Sequence, residues 1–213
     1  PVRTAGELAA VVDKTLAYAA KSYGQTAIYT AEQGFSTHAV SFVSTLPAGW
    51  SASTAYIGVD GLTVAGARSR LLSAINNGVA LTSFVGHSDD WQWTWQGLFN
   101  TTYAAQLTNI GKPTGFTQWG CWNTYTVDPE YNTLGHVLMN RTSGGAAVLG
   151  ATALSKESTE RLFGDLLTPL MADPGKAIGV AVLEAKQQMA GLGGGMQDVL
   201  LGWTLLGDPA LVV

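Results

Sequence analysis

The sequence predicts an α/β fold with a mostly parallel central sheet covered by helices on both faces. Three observations predict it. Short, near-continuously apolar runs alternate with segments of helical period, the pattern of strands buried on both faces and joined by helical crossovers. Charged residues make up 12% of the 213 and the hydrophobic set 46%, a composition that buries a core instead of staying disordered. No repeat, linker or charge block divides the chain. Residues 1–213 therefore read as one domain, near the upper size for a single core.

The elements follow in order from local signals. Thr4-Ala5-Gly6-Glu7 has the form of a capping box, in which Thr caps the helix and Glu reaches back. Leu8, Val11, Val12, Leu16 and Ala19 continue as an apolar stripe that ends at Gly24. Thr26 to Glu32 is short, apolar and β-branched, and reads as a strand. Phe35 to Leu46 reads as a helix stopped by Pro47, and Ala55 to Val59 as a second strand. Val64 to Asn77 places Ala67, Leu71, Leu72 and Ile75 on one helical face before the stop signal Asn77-Gly78. Val79 to Gly86 is the third strand, 87–101 a polar, Trp-rich loop, and Thr102 to Asn109 a short helix. Gly115 to Cys121 is the fourth strand, Thr133 to Asn140 a helix and Ala146 to Thr152 the fifth strand. Helices fill 157–171 and 175–190, Gly191 to Gly195 is a loop, and 197–206 closes as a helix or a strand.

The totals exclude several function classes. Net charge is −4 with no basic stripe, which argues against nucleic acid or anionic lipid as partner. No apolar run reaches the ~18–20 residues of a membrane span. The single cysteine forbids an intramolecular disulfide and argues against structural zinc. Low charge with 26 glycines and seven tryptophans points to an exported bacterial protein. The chain starts at Pro1, as a trimmed or processed chain would, so missing targeting information assigns no compartment.

Two stretches carry chemistry. Phe84-Val85-Gly86-His87-Ser88 and Gln118-Trp119-Gly120-Cys121-Trp122 each run from apolar residues through a glycine to a reactive side chain. In open parallel sheets, ligands bind outside the carboxyl ends of the strands. If the two strands are neighbours, His87 and Cys121 emerge at one edge. An imidazole there can draw the proton from a thiol, whose free pKa of ~8.5 leaves it mostly protonated at neutral pH. Backbone N–H groups at strand ends, those of Ser88 and Cys121, are free to bind an oxyanion. The two glycines are expected to permit a sharp turn and the approach of a substrate backbone. The alternatives are a small buried cysteine and an ordinary hydrogen-bonded histidine. His38 and His136 fall in helices and read as structural. Trp91, Trp93, Trp95, Trp119 and Trp122 flank the two stretches, as an aromatic cap on the sheet edge or as a cleft wall. Asp89 and Asp90 read as turn caps, not as metal ligands. Gly191 to Gly195 lacks the lysine of a phosphate loop, and no Gly-x-Ser-x-Gly elbow occurs.

With these residues the chain resembles the gingipain-type cysteine peptidases of the caspase-like clan. The blocks that carry the resemblance are Leu81 to Ser88 and Phe116 to Cys121. Also similar are Gly78-Val79-Ala80-Leu81, Ser143 to Gly150, Ala181 to Lys186 and the closing Leu205-Leu206-Gly207-Asp208-Pro209-Ala210-Leu211. The resemblance spans nearly the whole chain. It implies a caspase-like αβα sandwich, Cys121 as nucleophile, His87 as general base and acid, and the amides of Ser88 and Cys121 as oxyanion donors. It also implies an acid beside the histidine, for which Glu32 is the matching residue, with a solvated strand-end carboxylate as the alternative. Glu157 and Glu160 fall where the family builds its specificity pocket. Glu160 is the candidate acid there, with a helix-surface position as the alternative, and Trp122 is a candidate substrate contact. Ser88 stands where the family pattern has glycine, a change expected either to narrow the oxyanion site or to demand a different local φ.

The expected activity is cysteine endopeptidase, through a thioester acyl-enzyme, on a protein or peptide substrate, with no cofactor and no metal. The expected setting is secreted or cell-surface, as a monomer or as the catalytic core of a longer multidomain protein. Two other readings stay open: a catalytically silent domain that binds protein or polysaccharide through a Trp-rich cleft, and a sortase-like transpeptidase on the same fold.

Overall fold

The computed structural model describes residues 2–125 and 130–213. The element order is α1 (Ala5–Ala19), β1 (Thr26–Ala31), α2 (Ser36–Ser44), β2 (Ser51–Tyr56), α3 (Val64–Asn77), β3 (Leu81–Val85), β4 (Gln92–Trp93), β5 (Phe99–Asn100), α4 (Thr101–Ala105), β6 (Thr114–Trp119), α5 (Leu134–Asn140), β7 (Gly145–Ala151), α6 (Glu157–Met171), α7 (Ile178–Gly191), α8 (Gln197–Leu200) and β8 (Trp203–Gly207). Among the described residues, six strands form one sheet in the order β2-β1-β3-β6-β7-β8. All neighbours pair parallel except β8, which runs antiparallel to β7. The sheet is therefore mostly parallel, as expected. The segment 197–206 contains both a helical turn and a strand.

The central strands β3 and β6 are buried along their whole length, which is why they carry no charge and read as largely apolar. Alternate side chains feed two cores. On one face Tyr29, Leu81, Val85, Trp119 and Leu149 meet Phe42 of α2, Phe163 and Leu167 of α6 and Ala181 of α7. On the other, Ile28, Phe84, Phe116 and Val148 meet Leu71 and Ile75 of α3, Trp93 and Leu138 of α5. Trp93 stacks on Phe84 at 4.6 Å, and Trp119 lies 5.0 Å from both Phe42 and Trp203.

Several sequence expectations change. The second strand is Ser51–Tyr56, not 55–59. It is an edge strand of small polar residues, paired with β1 through its backbone, and it lacks the apolar run that marks an internal strand. The 87–101 stretch is no plain loop. It folds back as the antiparallel pair β4–β5 because Trp93 and Phe99 pack into the core.

Helix α1 turns a different face inward. Leu8, Val12 and Leu16 of the expected stripe are exposed, while Ala10, Lys14 and Tyr18 are buried. The reason is that both polar tips find backbone acceptors. Lys14 Nζ donates to Leu138 O (2.7 Å) and Ser143 O (3.2 Å), and Tyr18 OH donates to Ala80 O (2.8 Å). A buried cation so held contributes apolar stem packing, which a hydrophobicity pattern scores as polar.

Burial also pushes the Lys14 ammonium down to about 7 from 10.5. The unfolded chain then binds more protons than the folded one between those values, so this group adds stability as pH rises through that window. The expected outcome is an unfolding free energy whose pH 7–10 slope is more positive in the parent than in Lys14→Met. Denaturant titrations at pH 7, 8.5 and 10 measure that difference, and equal slopes would contradict the buried-lysine assignment.

Candidate active site

The parallel pairing of β1, β3 and β6 puts three strand ends in one row. Ala31 is in register with Val85, and Val85 with Trp119. The next residues are Glu32, Gly86 and Gly120, and the ladder extends one step into them: Glu32 N donates to Val85 O (2.9 Å) and Gly86 N to Trp119 O (3.0 Å). His87 and Cys121 follow. The expected adjacency of the two reactive strand ends therefore holds.

Both glycines are required by the chain's own close packing here. A Cβ on Gly86, whose φ is 151°, would lie 2.5 Å from Glu32 Cβ. A Cβ on Gly120 would lie 2.3 Å from Gly86 O and 2.3 Å from Ser88 Oγ. Only glycines let the three ends approach this closely.

Glu32 reaches across Gly86 to His87. Its Oε2 accepts from the His87 N–H (2.7 Å) and lies 2.8 Å from His87 Nδ1. The Glu32 side chain is 12% exposed and that of His87 57%, so Glu32 is a partly buried carboxylate paired with the histidine and not a solvated strand-end one. With Nδ1 tied to Glu32, Nε2 is the ring nitrogen left for proton transfer. Phe35 sets its ring edge-on to the imidazole at 5.1 Å.

Cys121 is partly exposed. Its thiol donates to Ser155 O at 3.7 Å, and no hydrogen bond joins it to the His87 ring. Trp122 follows in a left-handed conformation (φ 61°), a backbone state costing a residue with a Cβ about 1–2 kcal/mol. Its N–H is tied to Ala153 O (3.1 Å) and its ring packs edge-on to Tyr125. This sharp turn lifts Cys121 off the end of β6, and Trp122 remains half-buried beside the thiol.

Ser88 is buried, at 7% exposure. Its Oγ donates to Cys121 O (2.8 Å) and accepts from Asn123 Nδ2 (3.0 Å). The hydroxyl is thus engaged by the chain's own polar groups. Among the described residues, neither the Ser88 N–H nor the Cys121 N–H has a hydrogen-bond partner.

Glu160 is no helix-surface residue: it is 8% exposed. Ser155 Oγ donates to its Oε1, which links the acid to the residue whose carbonyl holds the thiol. Burial pushes the Glu160 carboxyl up to about 7, against the Ser155 hydrogen bond, with Asp198 and Glu157 raising it further and His87 lowering it. Glu157 instead pairs with His38 (3.4 Å) on the exposed side.

The tryptophans divide. Trp93 and Trp119 are core residues, while Trp91 and Trp95 are exposed on the β4–β5 segment. The expected five-tryptophan wall does not form, because strand alternation sends Trp119 to the opposite side of the sheet from Trp93. Asp89 caps its turn, accepting from the N–H groups of Trp91 and Gln92. His136 bonds to Asn140 and pairs with Glu7 (3.5 Å). Among the described residues, no cluster of His, Cys, Asp and Glu is arranged to hold a metal ion.

The family model for peptidase family C25 matches residues 1–213. The chain belongs to that family. The fold agrees with solved structures, one of them from Porphyromonas gingivalis. A complex of the RgpB pro- and mature domains matches with a TM-score of 0.84 at 19% identity, covering 100% of this chain and 55% of that one. The Arg-specific cysteine proteinase gingipain R matches with 0.84 at 19% identity, covering 100% and 54%. A third structure, described as a protease, gives 0.75 at 17%, covering 99% and 54%. The family chain described here thus spans about 55% of the RgpB chain it matches. No curated protein matches it. The family resemblance and the caspase-like αβα architecture expected from the motifs both hold.

Two contributors to this C25 site carried no sequence signal. Asn123 is one asparagine among several after Cys121, and Ser155 lies in a loop 34 positions from the cysteine it contacts. The expected outcome for Gly86→Ala and Gly120→Ala is a loss of about 1–3 kcal/mol each, as overpacking and strain dictate. Gly191→Ala, with open space around its Cα, should be neutral or slightly stabilising. Thermal melts of the three variants measure the contrast.

Proposed function

We propose that this chain is the catalytic part of a cysteine endopeptidase. The observation that carries the reading is the row Glu32–His87–Cys121 at neighbouring strand ends, with two unpaired N–H groups beside the thiol, in a chain of family C25. The thiol leaves Ser155 O and turns toward His87 Nε2, which takes its proton. The sulfur forms a bond to the substrate carbonyl carbon, and the carbonyl oxygen, now negative, is held by the N–H groups of Ser88 and Cys121. The C–N bond breaks as His87 protonates the leaving amine. Water, deprotonated by His87, then cleaves the thioester, releasing the acid and the thiol. Glu32 holds the imidazole in the tautomer and orientation these transfers need.

Glu160 and Trp122 line the substrate pocket in this reading. A buried carboxyl beside the thiol suits a cationic side chain on the acyl side of the cleaved bond, in keeping with the arginine specificity stated for gingipain R. The substrate is a protein or peptide, and the setting is secreted or cell-surface within a longer chain. The thiol's bond to Ser155 O favours a second reading, in which the domain is catalytically silent and binds a protein or polysaccharide.

Cys121→Ala is expected to abolish peptide hydrolysis and labelling by a thiol-directed peptide inhibitor. Turnover that survives this change would overturn the reading. Glu32→Gln should lower kcat by about 10–10² while the protein stays folded, the share of proton-transfer catalysis lost with poor orientation. Because Glu160 titrates near 7, its charge is present above that pH and lost below it. KM for an arginine substrate should therefore fall as pH rises from 6 to 8, and Glu160→Gln should remove that dependence. Steady-state kinetics across the range check both.

A further inference from the structure

We propose that Asn123 is a positioning residue that aims the oxyanion donors, an inference that rests on the peptidase reading. Asn123 is fully buried beneath the nucleophile. Its Nδ2 lies 2.9 Å from Gly120 O, 3.0 Å from Ser88 Oγ and 3.2 Å from Gln118 O. The Gly120 C=O and the Cys121 N–H belong to one planar trans peptide and point in opposite directions. Pulling the Gly120 carbonyl inward onto Asn123 therefore turns the Cys121 N–H outward, into the cleft.

The second donor is set by the same device. His87 O accepts from Thr94 N at 2.8 Å, so the Ser88 N–H of that peptide faces the other way, away from Thr94. Thr94 is buried and held at φ 60°. The Ser88 hydroxyl joins the two arms, since it accepts from Asn123 and donates to Cys121 O. A serine in place of glycine thus becomes a brace between the histidine and cysteine strand ends. Both N–H groups remain unpaired among the described residues while the carbonyls behind them are all occupied. That is the arrangement of donors preorganised for a charge that appears only during reaction.

The test separates the oxyanion site from turnover. A peptidyl aldehyde adds the Cys121 sulfur at its carbonyl carbon while the oxygen gains the thiol proton, giving a tetrahedral adduct without hydrolysis. Iodoacetamide alkylates the same sulfur with loss of iodide and needs no oxyanion donor. The purified chain and its Asn123→Asp and Asn123→Leu variants are titrated with peptidyl argininal and leucinal, with iodoacetamide, and with a peptide amide substrate. Leu introduces no charge, so it controls for repulsion by Asp. Aldehyde affinity is expected to fall about thirtyfold or more in both variants. kcat should fall by about 10², KM should move less than about threefold, and iodoacetamide rates should stay close to the parent's. Ser88→Thr should keep more aldehyde affinity than Ser88→Ala, because it keeps the hydroxyl brace; this pair carries the test if the Asn123 variants do not fold. Unchanged aldehyde affinity in the variants overturns the positioning role. A parent that binds the aldehydes and loses them on Asn123 substitution, yet cleaves no peptide, overturns the peptidase reading alone. A parent that reacts with iodoacetamide but binds no aldehyde overturns both.

Discussion

The structure depends on how closely the ends of β1, β3 and β6 approach one another. Parallel register brings Glu32, Gly86 and Gly120 into one row, and the row closes only because two of the three have no side chain. Across the first gap Glu32 reaches the histidine. Across the second, Gly86 O and Ser88 Oγ press against Gly120. Reactive groups separated by long stretches of sequence are fixed by backbone packing, which is stiffer than any long side chain could provide.

Beneath that row the Gly120 and His87 carbonyls are hydrogen-bonded within the protein, while the Ser88 and Cys121 amides have no partner among the described residues. Asn123, Ser88 and the backbone of Thr94 hold the carbonyls. On the other side of the thiol, the loop carrying Ser155 is tied down by Glu160 and by Asp198, which accepts from Lys156 N and Thr159 Oγ1. The thiol sits between these two frameworks, bonded to the second. The aromatic cores above and below the sheet, built on Trp93 and Trp119, keep both frameworks from moving independently.

Much of this was legible in the sequence, for identifiable reasons. The strands β3, β6 and β7 are buried on both faces, so each is short and free of charge, with only Thr, Ser and Gln among its apolar residues and glycines. Gly86-His87 and Gly120-Cys121 mark strand ends because in each a glycine leads to a reactive side chain. The misread elements are those where polar atoms are buried or apolar ones exposed. Helix α1 buries Lys14 and Tyr18 because backbone carbonyls meet their tips. Strand β2 lies at the sheet edge, where pattern is weak. Trp93 and Trp119 look alike in sequence, yet alternation places them on opposite faces.

The sequence by itself determined the fold class, the family motifs and the two strand ends on which the candidate side chains sit, because these rest on periodicity and on residue types that few environments tolerate. Tertiary structure alone decided how those side chains are held. The Glu32–His87 pair, the bonds of the Ser88 hydroxyl, the burial of Glu160 and the thiol's bond to Ser155 all join residues far apart in the chain. Such contacts leave no local pattern, since their energy comes from the register of strands and the docking of loops, which no single segment encodes.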